Sequence, residues 1–307
     1  MSQAVTNLPS HFIDLFNENW GMQAQQMLSR MKAYVTLESS HNGGRKRFDD
    51  FDQDDAVEEI TVRAGTTVRS DLTSSSRWLS VKPYASTKVI DEWDDVQLAA
   101  LGRPDSSVLA LIQANMERLV DKRIFAALEG PAITGDDGTG PAATFPAAQT
   151  VARDYVRSGT AANSGLTLDK LRRVKSIFGI NEVVGSGIAQ NRDTKIIMAV
   201  SQTDLDSLLT ETEVTSADYN NVQPLVSGQV DEFLGIKFIR SEQLTTSGSV
   251  RNLLAWVPSA VHFFFGDQRT HIDPLPENSH ARQIRAVARM GGVRRYDKKV
   301  VMVKVNE

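Results

Sequence analysis

Residues 102–131 read GRPDSSVLALIQANMERLVDKRIFAALEGP, and this stretch carries both ends of a helix within itself. Pro104 suits a first helical turn, where a missing amide proton costs nothing, and Gly130 with Pro131 stops the run. Between them Leu109, Ile112, Met116, Val120, Ile124 and Leu128 recur at spacings of three and four, which lays an apolar stripe along one face. The pattern predicts a helix over 104–129. At about 1.5 Å per residue it runs roughly 40 Å, well beyond the average globular helix. Something extended has to lie along it.

Upstream, DEWDDVQLAAL (91–101) supplies an acid-rich entry with Trp93 among Asp91, Glu92, Asp94 and Asp95; carboxylates there suit the positive end of the helix dipole. Before that, ITVRAGTTVRS and RWLSVKPYASTKVI flank the polar SDLTSSS, so residues 56–90 read as a long hairpin. Strands so rich in Thr, Arg and Ser have too few apolar positions for a core of their own, and an isolated two-stranded ribbon is marginal in water. A projecting arm that docks on something else resolves the conflict. Ahead of the hairpin the charge switches sign. Arg45, Lys46 and Arg47 precede Asp49, Asp50, Asp52, Asp54, Asp55, Glu58 and Glu59, with no basic residue among the acids. Over 10–31, Phe12, Leu15, Phe16, Trp20, Met27, Leu28 and Met31 recur at roughly helical spacing with Gly21 interrupting, which predicts one or two amphipathic helices. Their apolar face needs cover from the same chain or from a neighbour.

Downstream, residues 132–165 are rich in Gly, Ala, Thr and Pro and read as turns and short strands before a second helix, LTLDKLRRVKSIF. KIIMAV then alternates as a strand, SQTDLDSLL follows as a helix, and GIKFIR and NLLAWV as strands, forming an α+β lobe over about 195–257. The chain closes in strands, RQIRAVARMGGVRRYDKKVVMVKV, with Gly291 and Gly292 read as the turn. No fixed-period repeat is present, which excludes a solenoid or propeller.

At 307 residues the chain is long for one core and points to two or more lobes or to large extensions. A net charge of −4 excludes a protein whose whole surface tracks phosphates. The absence of cysteine excludes disulfides, thiolate nucleophiles and Cys-based metal sites, so stability rests on packing and assembly. No apolar run approaches the roughly 20 residues that span a bilayer, and MSQAVTNLPSHFIDLF lacks a basic stretch followed by an apolar core. The expectation is a soluble protein of the cytoplasm with no membrane partner.

Each familiar signature of catalysis fails at a particular residue. Gly135 to Gly140 has P-loop glycine spacing, but Pro141 and Ala142 stand where Lys and Ser or Thr are needed. The region of Gly185 and Gly187 lacks the third glycine of a dinucleotide site, and no Gly-x-Ser-x-Gly elbow occurs. Asp50, Asp52 and Asp54 start like a calcium loop, yet Asp55 replaces its glycine and Thr61 its closing glutamate. His11, His41, His262, His271 and His280 show no metal-ligand spacing and read as surface or interface residues. A carboxylate pair drawn from Asp91, Glu92, Asp94 and Asp95 would be the raw material of a glycosidase, but the same acids fit a helix entry or a subunit contact. No catalytic, cofactor or metal residue is assigned. Near the C-terminus Arg282, Arg285, Arg289, Arg294, Arg295, Lys298 and Lys299 form a basic cluster opposite in sign to the 49–59 run. Two uses are open: electrostatic pairing between subunits, and facing packaged nucleic acid without base readout.

The order of elements and the stretch DEWDDVQLAALGRPDSSVLALIQANMERLVDKRIFAALEGPAITGDDGTG resemble the HK97-like capsid fold of tailed-bacteriophage major capsid proteins. LTLDKLRRVKSIF, SQTDLDSLL and ADYNNVQPLVSGQVDEFLGIKFIRSEQL add to the likeness, which covers about 91–244; the arm and hairpin match in type more than in sequence. The resemblance implies an α+β fold with an N-terminal arm (1–48), an E-loop hairpin (49–95), a peripheral domain (96–194) with a spine helix at 104–129, an axial domain (195–257) and closing peripheral strands (258–307). It implies a virion subunit that forms hexamers and pentamers of an icosahedral head around double-stranded DNA. Its expected partners are itself, a portal protein, and scaffolding and decoration proteins. The candidate inter-subunit residues are Asp49, Asp50, Asp52, Asp54, Asp55, Glu58, Glu59, Arg63, Arg69, Arg77, Trp78 and Trp20. Arg282, Arg285, Arg289, Arg294 and Arg295 are the DNA-facing or inter-subunit candidates. The rivals are an encapsulin-like compartment of the same fold, a carboxylate hydrolase, and another virion structural protein such as a tail subunit.

Overall fold

The structure, a computed structural model, describes residues 25–39, 43–51, 57, 59, 71–90, 105–183, 195–210, 232–278 and 280–306. In chain order the elements are β1 (Thr36–Glu38), β2 (Arg45–Phe51), β3 (Ser74–Ser80), β4 (Lys82–Ile90), α1 (Asp105–Glu129), β5 (Thr150–Val151), α2 (Leu168–Ile180) and β6 (Ile196–Val200). They continue with α3 (Gln202–Thr210), β7 (Glu232–Phe233), β8 (Ile236–Arg240), β9 (Thr246–Ser247), β10 (Val250–Trp256), β11 (Val261–Phe265), β12 (Arg269–Leu275), β13 (Ala281–Arg294) and β14 (Val300–Asn306). Strands outnumber helices, as the α+β reading requires. The predicted long helix is present as α1, and its stripe is buried at Ile112, Met116, Val120, Ile124 and Leu128.

The chain divides into two compact units, 1–29 with 83–119 and 267–289, and 30–82 with 120–266 and 290–307. In the first, β12 pairs antiparallel with β13 from Arg269↔Val287 to Leu275↔Ala281. Period-2 alternation turns Ile284, Ala286 and Ala288 inward while Arg285 and Arg289 stand exposed on the other face.

The second unit is built on a seven-stranded sheet ordered β5-β14-β10-β6-β8-β7, with β9 on β10. Its central strands are apolar on both faces: β6 is buried throughout, as are Leu253 to Trp256 of β10 and Val300 to Val303 of β14. Helix α2 starts at Thr167, whose side chain accepts from the Lys170 amide. Helix α3 starts with a reciprocal box, in which the Ser201 hydroxyl accepts from the Asp204 amide at 3.2 Å and the Asp204 carboxylate accepts from the Ser201 amide at 3.1 Å. Elsewhere in the unit β1 runs parallel to β11, and β11 pairs antiparallel with residues 290–294 of β13. The ribbon β2–β3 pairs from Arg45↔Ser80 to Phe51↔Ser74 and roots its apolar side in a cluster of Phe48, Leu79, Val81, Ala132, Phe264 and Val293.

Four expectations are corrected. Gly291 and Gly292 make no turn; both lie inside β13, and the chain reverses at Asp297–Lys299. Glycine is needed for close approach, because a Cβ on Gly291 would stand 2.2 Å from the Ser80 carbonyl oxygen, and one on Gly292 would stand 2.8 Å from the Ala127 Cβ. The ribbon also begins earlier than the sequence pattern placed it. β3 pairs with 45–51, so Asp49 and Asp50 are strand residues. Residues 25–30 are not helical although Met27 and Leu28 fit the spacing, and both of those side chains are exposed. Their amides go instead to α1: that of Ser29 donates to Glu117 at 3.1 Å, while those of Arg30 and Met31 donate to Asp121 at 3.1 and 3.2 Å. Finally, His262 is buried, not at the surface.

Candidate assembly site at the base of the ribbon

The polar residues of β2 and β3 meet the reversal at 294–299 in one network, all within the second unit. Asp50 accepts from the Arg295 guanidinium twice, at 2.8 and 2.6 Å, and from the Tyr296 hydroxyl at 3.0 Å. This bidentate pairing holds the Asp50 carboxyl below its ordinary range, the Arg295 bond outweighing the opposing effect of burial. From β3, Arg77 donates to Asp297 at 2.8 Å. The same carboxylate accepts from Arg294 Nε at 2.6 Å. Arg294 is fully buried, and its terminal nitrogens donate to the carbonyls of Leu128 at 2.7 Å and Gly130 at 2.9 Å, and to those of Ala143 and Thr144 at 3.4 Å. A cation therefore seals the carbonyl end of α1, where the helix dipole is negative. Arg77 thus links the ribbon through Asp297 to that seal.

The ribbon is gripped on a second side. The Trp78 indole donates to the Gly135 carbonyl at 2.6 Å, the Trp78 amide donates to the Ile133 carbonyl at 3.1 Å, and Ser76 Oγ also donates to Gly135 at 2.9 Å. Gly138, at φ +69°, lies against the indole, where a Cβ would come within 3.2 Å of the ring. Arg47 reaches Asp136 at 2.9 Å from the same turn. The glycine spacing that mimicked a phosphate loop is thus a seat for Trp78. Against Phe48, whose ring centre lies 4.8 Å from that of His262, His262 Nδ1 meets Glu38 at 2.6 Å, and Glu38 also pairs with Lys46. Burial pushes the Glu38 carboxyl up, but Lys46 and His262 together bring it below its ordinary value.

Asp50, Arg77 and Trp78, expected at contacts between subunits, are thus engaged within their own chain, as are Arg294 and Arg295 of the basic cluster. Asp49 pairs with Arg47. Glu59, Arg285 and Arg289 are exposed, and Arg282 is half-buried on the opposite face of β13. Asp52, Asp54, Asp55, Glu58, Arg63, Arg69, Trp20 and the acids at 91–95 lie outside the described residues. Sequence reasoning missed Asp297, Glu38 and His262; only the three-residue spacing of Arg294 and Asp297 was a signal. Among the described residues no group of His, Asp and Glu could hold a metal ion, and no helix is long and apolar enough to cross a membrane.

What the network does is mechanical. It fastens a ribbon that also carries apolar side chains without cover: Phe51, next to Asp50 in β2, is 74% exposed and Leu72, just before β3, is 70% exposed. Solved structures with the same fold include capsids. The capsid of Ralstonia phage GP4 matches with a TM-score of 0.67 at 10% identity over 100% of this chain and 98% of that one. The cyanophage P-SCSP1u capsid matches with 0.66 at 12% identity over 97% and 94%. The capsid of a native GTA particle, computed with C5 symmetry, matches with 0.66 at 10% identity over 100% of both chains. No curated protein matches the chain in sequence. The chain belongs to the phage capsid protein family, whose sequence model matches residues 8–307. It is a major capsid protein of the HK97-like fold, a structural component of the virion that associates with copies of itself.

Proposed function

We propose that this capsid protein closes an icosahedral head through hexamers and pentamers, assembled in the host cytoplasm around double-stranded DNA, with the E-loop hairpin of each subunit laid over a neighbour. The observation that carries this reading is the pairing of a ribbon fastened at its base with exposed Phe51, Leu72 and Val57, the last 94% exposed. Apolar side chains in that position gain cover only from another surface. On this reading the parts are the arm at 1–48, the E-loop at 49–95, peripheral elements at 96–194 and 258–307, and an axial domain at 195–257. Arg285 and Arg289 face either packaged DNA, through phosphate contacts without base readout, or a neighbouring subunit. A portal protein, with scaffolding and decoration proteins, completes the set of partners. Catalysis has no part in the reading.

Electron microscopy of the protein expressed alone, and with its neighbouring phage genes, tests it. Closed icosahedral particles containing DNA in the phage context are the expected result. Particles that enclose enzymes in place of a genome would favour the compartment reading, and a lasting monomer under both conditions would overturn assembly.

A further inference from the structure

The same reversal that anchors the ribbon opens a cleft of about 550 Å³. Its lining includes Arg77, Arg295, Lys298 and Lys299 against only two carboxylates, Glu182 and Asp297. Asp297 already serves both Arg77 and Arg294, and Arg295 is matched by Asp50. Lys298 and Lys299 have no ion pair among the described residues. The Lys299 ammonium meets Ser259 Oγ at 3.2 Å and lies 4.3 Å from the centre of the Tyr296 ring. Burial, and then the neighbouring Arg295 charge, lower its pKa. A half-buried ammonium so placed is stabilised by an arriving anion.

We propose that this cleft receives the acidic run at 52–59 of a second copy of the chain, its carboxylates pairing with Lys298 and Lys299. The proposal rests on the assembly reading above and names the surface that receives the ribbon. The run carries Asp52, Asp54, Asp55, Glu58 and Glu59 with no basic residue, which matches a cleft in excess of cations. Glu59 is exposed and has no ion pair among the described residues. Phe51 and Val57, exposed on the single chain, bracket most of the acids, so a neighbour that covers the apolar side chains meets the carboxylates in the same contact. Phosphate would satisfy the lysines as well. A carboxylate partner is favoured because the acids and their apolar flanks travel together on one segment, which supplies cover and charge at once. Such a pairing repeats in every subunit of a shell and favours one register of neighbours.

Shells assembled from equal parts of nitrogen-15-labelled and unlabelled subunits, treated with a carbodiimide, test the pairing. This reagent joins a lysine to a carboxylate that touches it. The expected product is a peptide pair linking 298–299 to 52–59, found in mixed-isotope form as often as random neighbours dictate. Pairs of a single isotope only would place the run in its own chain's cleft and overturn the proposal. Intact shells lacking any such link would overturn it too, as would protection of Lys298 and Lys299 from acetylation by DNA in filled shells but not in empty ones. Failure to form shells refutes the assembly reading instead, which electron microscopy of the same sample reports separately.

Discussion

Replacing Arg294 with Met should unfold the subunit more readily than any surface change, because the side chain is fully buried and every polar atom of its head is committed. Two of its bonds, to the carbonyls of Leu128 and Gly130, are short at 2.7 and 2.9 Å, and two, to those of Ala143 and Thr144, are long at 3.4 Å. The guanidinium also lies 4.9 Å from the centre of the Phe145 ring. Breaking a buried charge pair costs about 3–5 kcal/mol when the partner is stranded. Here Asp297 keeps Arg77 at 2.8 Å, so the loss falls at the lower end, about 3 kcal/mol, most of it from carbonyls left without donors at the helix end. Arg294→Lys retains the charge but loses the fork and should cost about 1–2 kcal/mol. Equilibrium unfolding of the unassembled subunit in urea gives the number, as a lowered midpoint at unchanged slope. A double-mutant cycle with Asp297→Asn isolates the pair from the carbonyl seal. An Arg294→Met subunit within about 0.5 kcal/mol of the parent, the range of ordinary surface changes, would refute the reasoning.

Asp50→Asn should cost about 1.5–3 kcal/mol at neutral pH, the range for bonds to a charged group. Because the folded pKa of Asp50 lies below its ordinary value, its contribution is present above that ordinary value and fades as pH falls through the folded one. Parent and variant urea midpoints should therefore converge in acid. Lys170 gives a rise of the same sign in an alkaline window. Its ammonium is buried and donates to the carbonyls of Ser164, Gly165 and Lys304, and burial lowers its pKa from 10.5 to about 8. Between those values the unfolded chain binds the extra proton, so parental stability should rise with pH by roughly 3 kcal/mol across the window, a rise that Lys170→Met abolishes. Gly291→Ala drives a Cβ to 2.2 Å from backbone and should cost about 1–3 kcal/mol or more. Gly179→Ala, in α2 with nothing within 4 Å, should instead add up to about 1 kcal/mol, both changes being read from urea midpoints.

Elements whose own residues set their period were legible from sequence: α1 with its stops, α2, α3, and the apolar strands β6, β8, β10 and β14. What misled was information that lives between segments. RKRFDDF looks like a solvated charge switch until Trp78 and Arg77 pair opposite it and Arg295 reaches Asp50. Gly291 and Gly292 carry the signature of a turn, and nothing near them in sequence says that the Ser80 carbonyl closes on Gly291 and the Ala127 and Phe263 side chains on Gly292. Met27 and Leu28 fit a helix, but Glu117 and Asp121, some ninety residues away, accept the amides such a helix would have used. The candidate site shows the same division. Acid at 49–59 and base at 294–299 are visible as opposite runs, whereas the division of Asp50 to its own chain depends on a register that charge alone does not encode.

That division has a physical logic for a subunit that has to find neighbours. A ribbon with few apolar residues would lose its bearing if its base were free, and each contact at its tip would then have to offset the entropy of ordering the whole arm. Asp50, Arg77 and Trp78 spend their bonds inside the chain, two on the 294–299 reversal and one on the Gly135 turn, so the base is ordered before a neighbour arrives. On the proposed reading Phe51 and Leu72 then meet a neighbour from an ordered ribbon, and each can bind weakly. Weak contacts made from pre-ordered parts let a misplaced subunit leave, while closure of the shell multiplies the many correct ones. A ribbon loosened at its base by Asp50→Asn should therefore harm assembly more than its loss of subunit stability alone predicts, which the yield of closed particles at matched folded concentration would reveal.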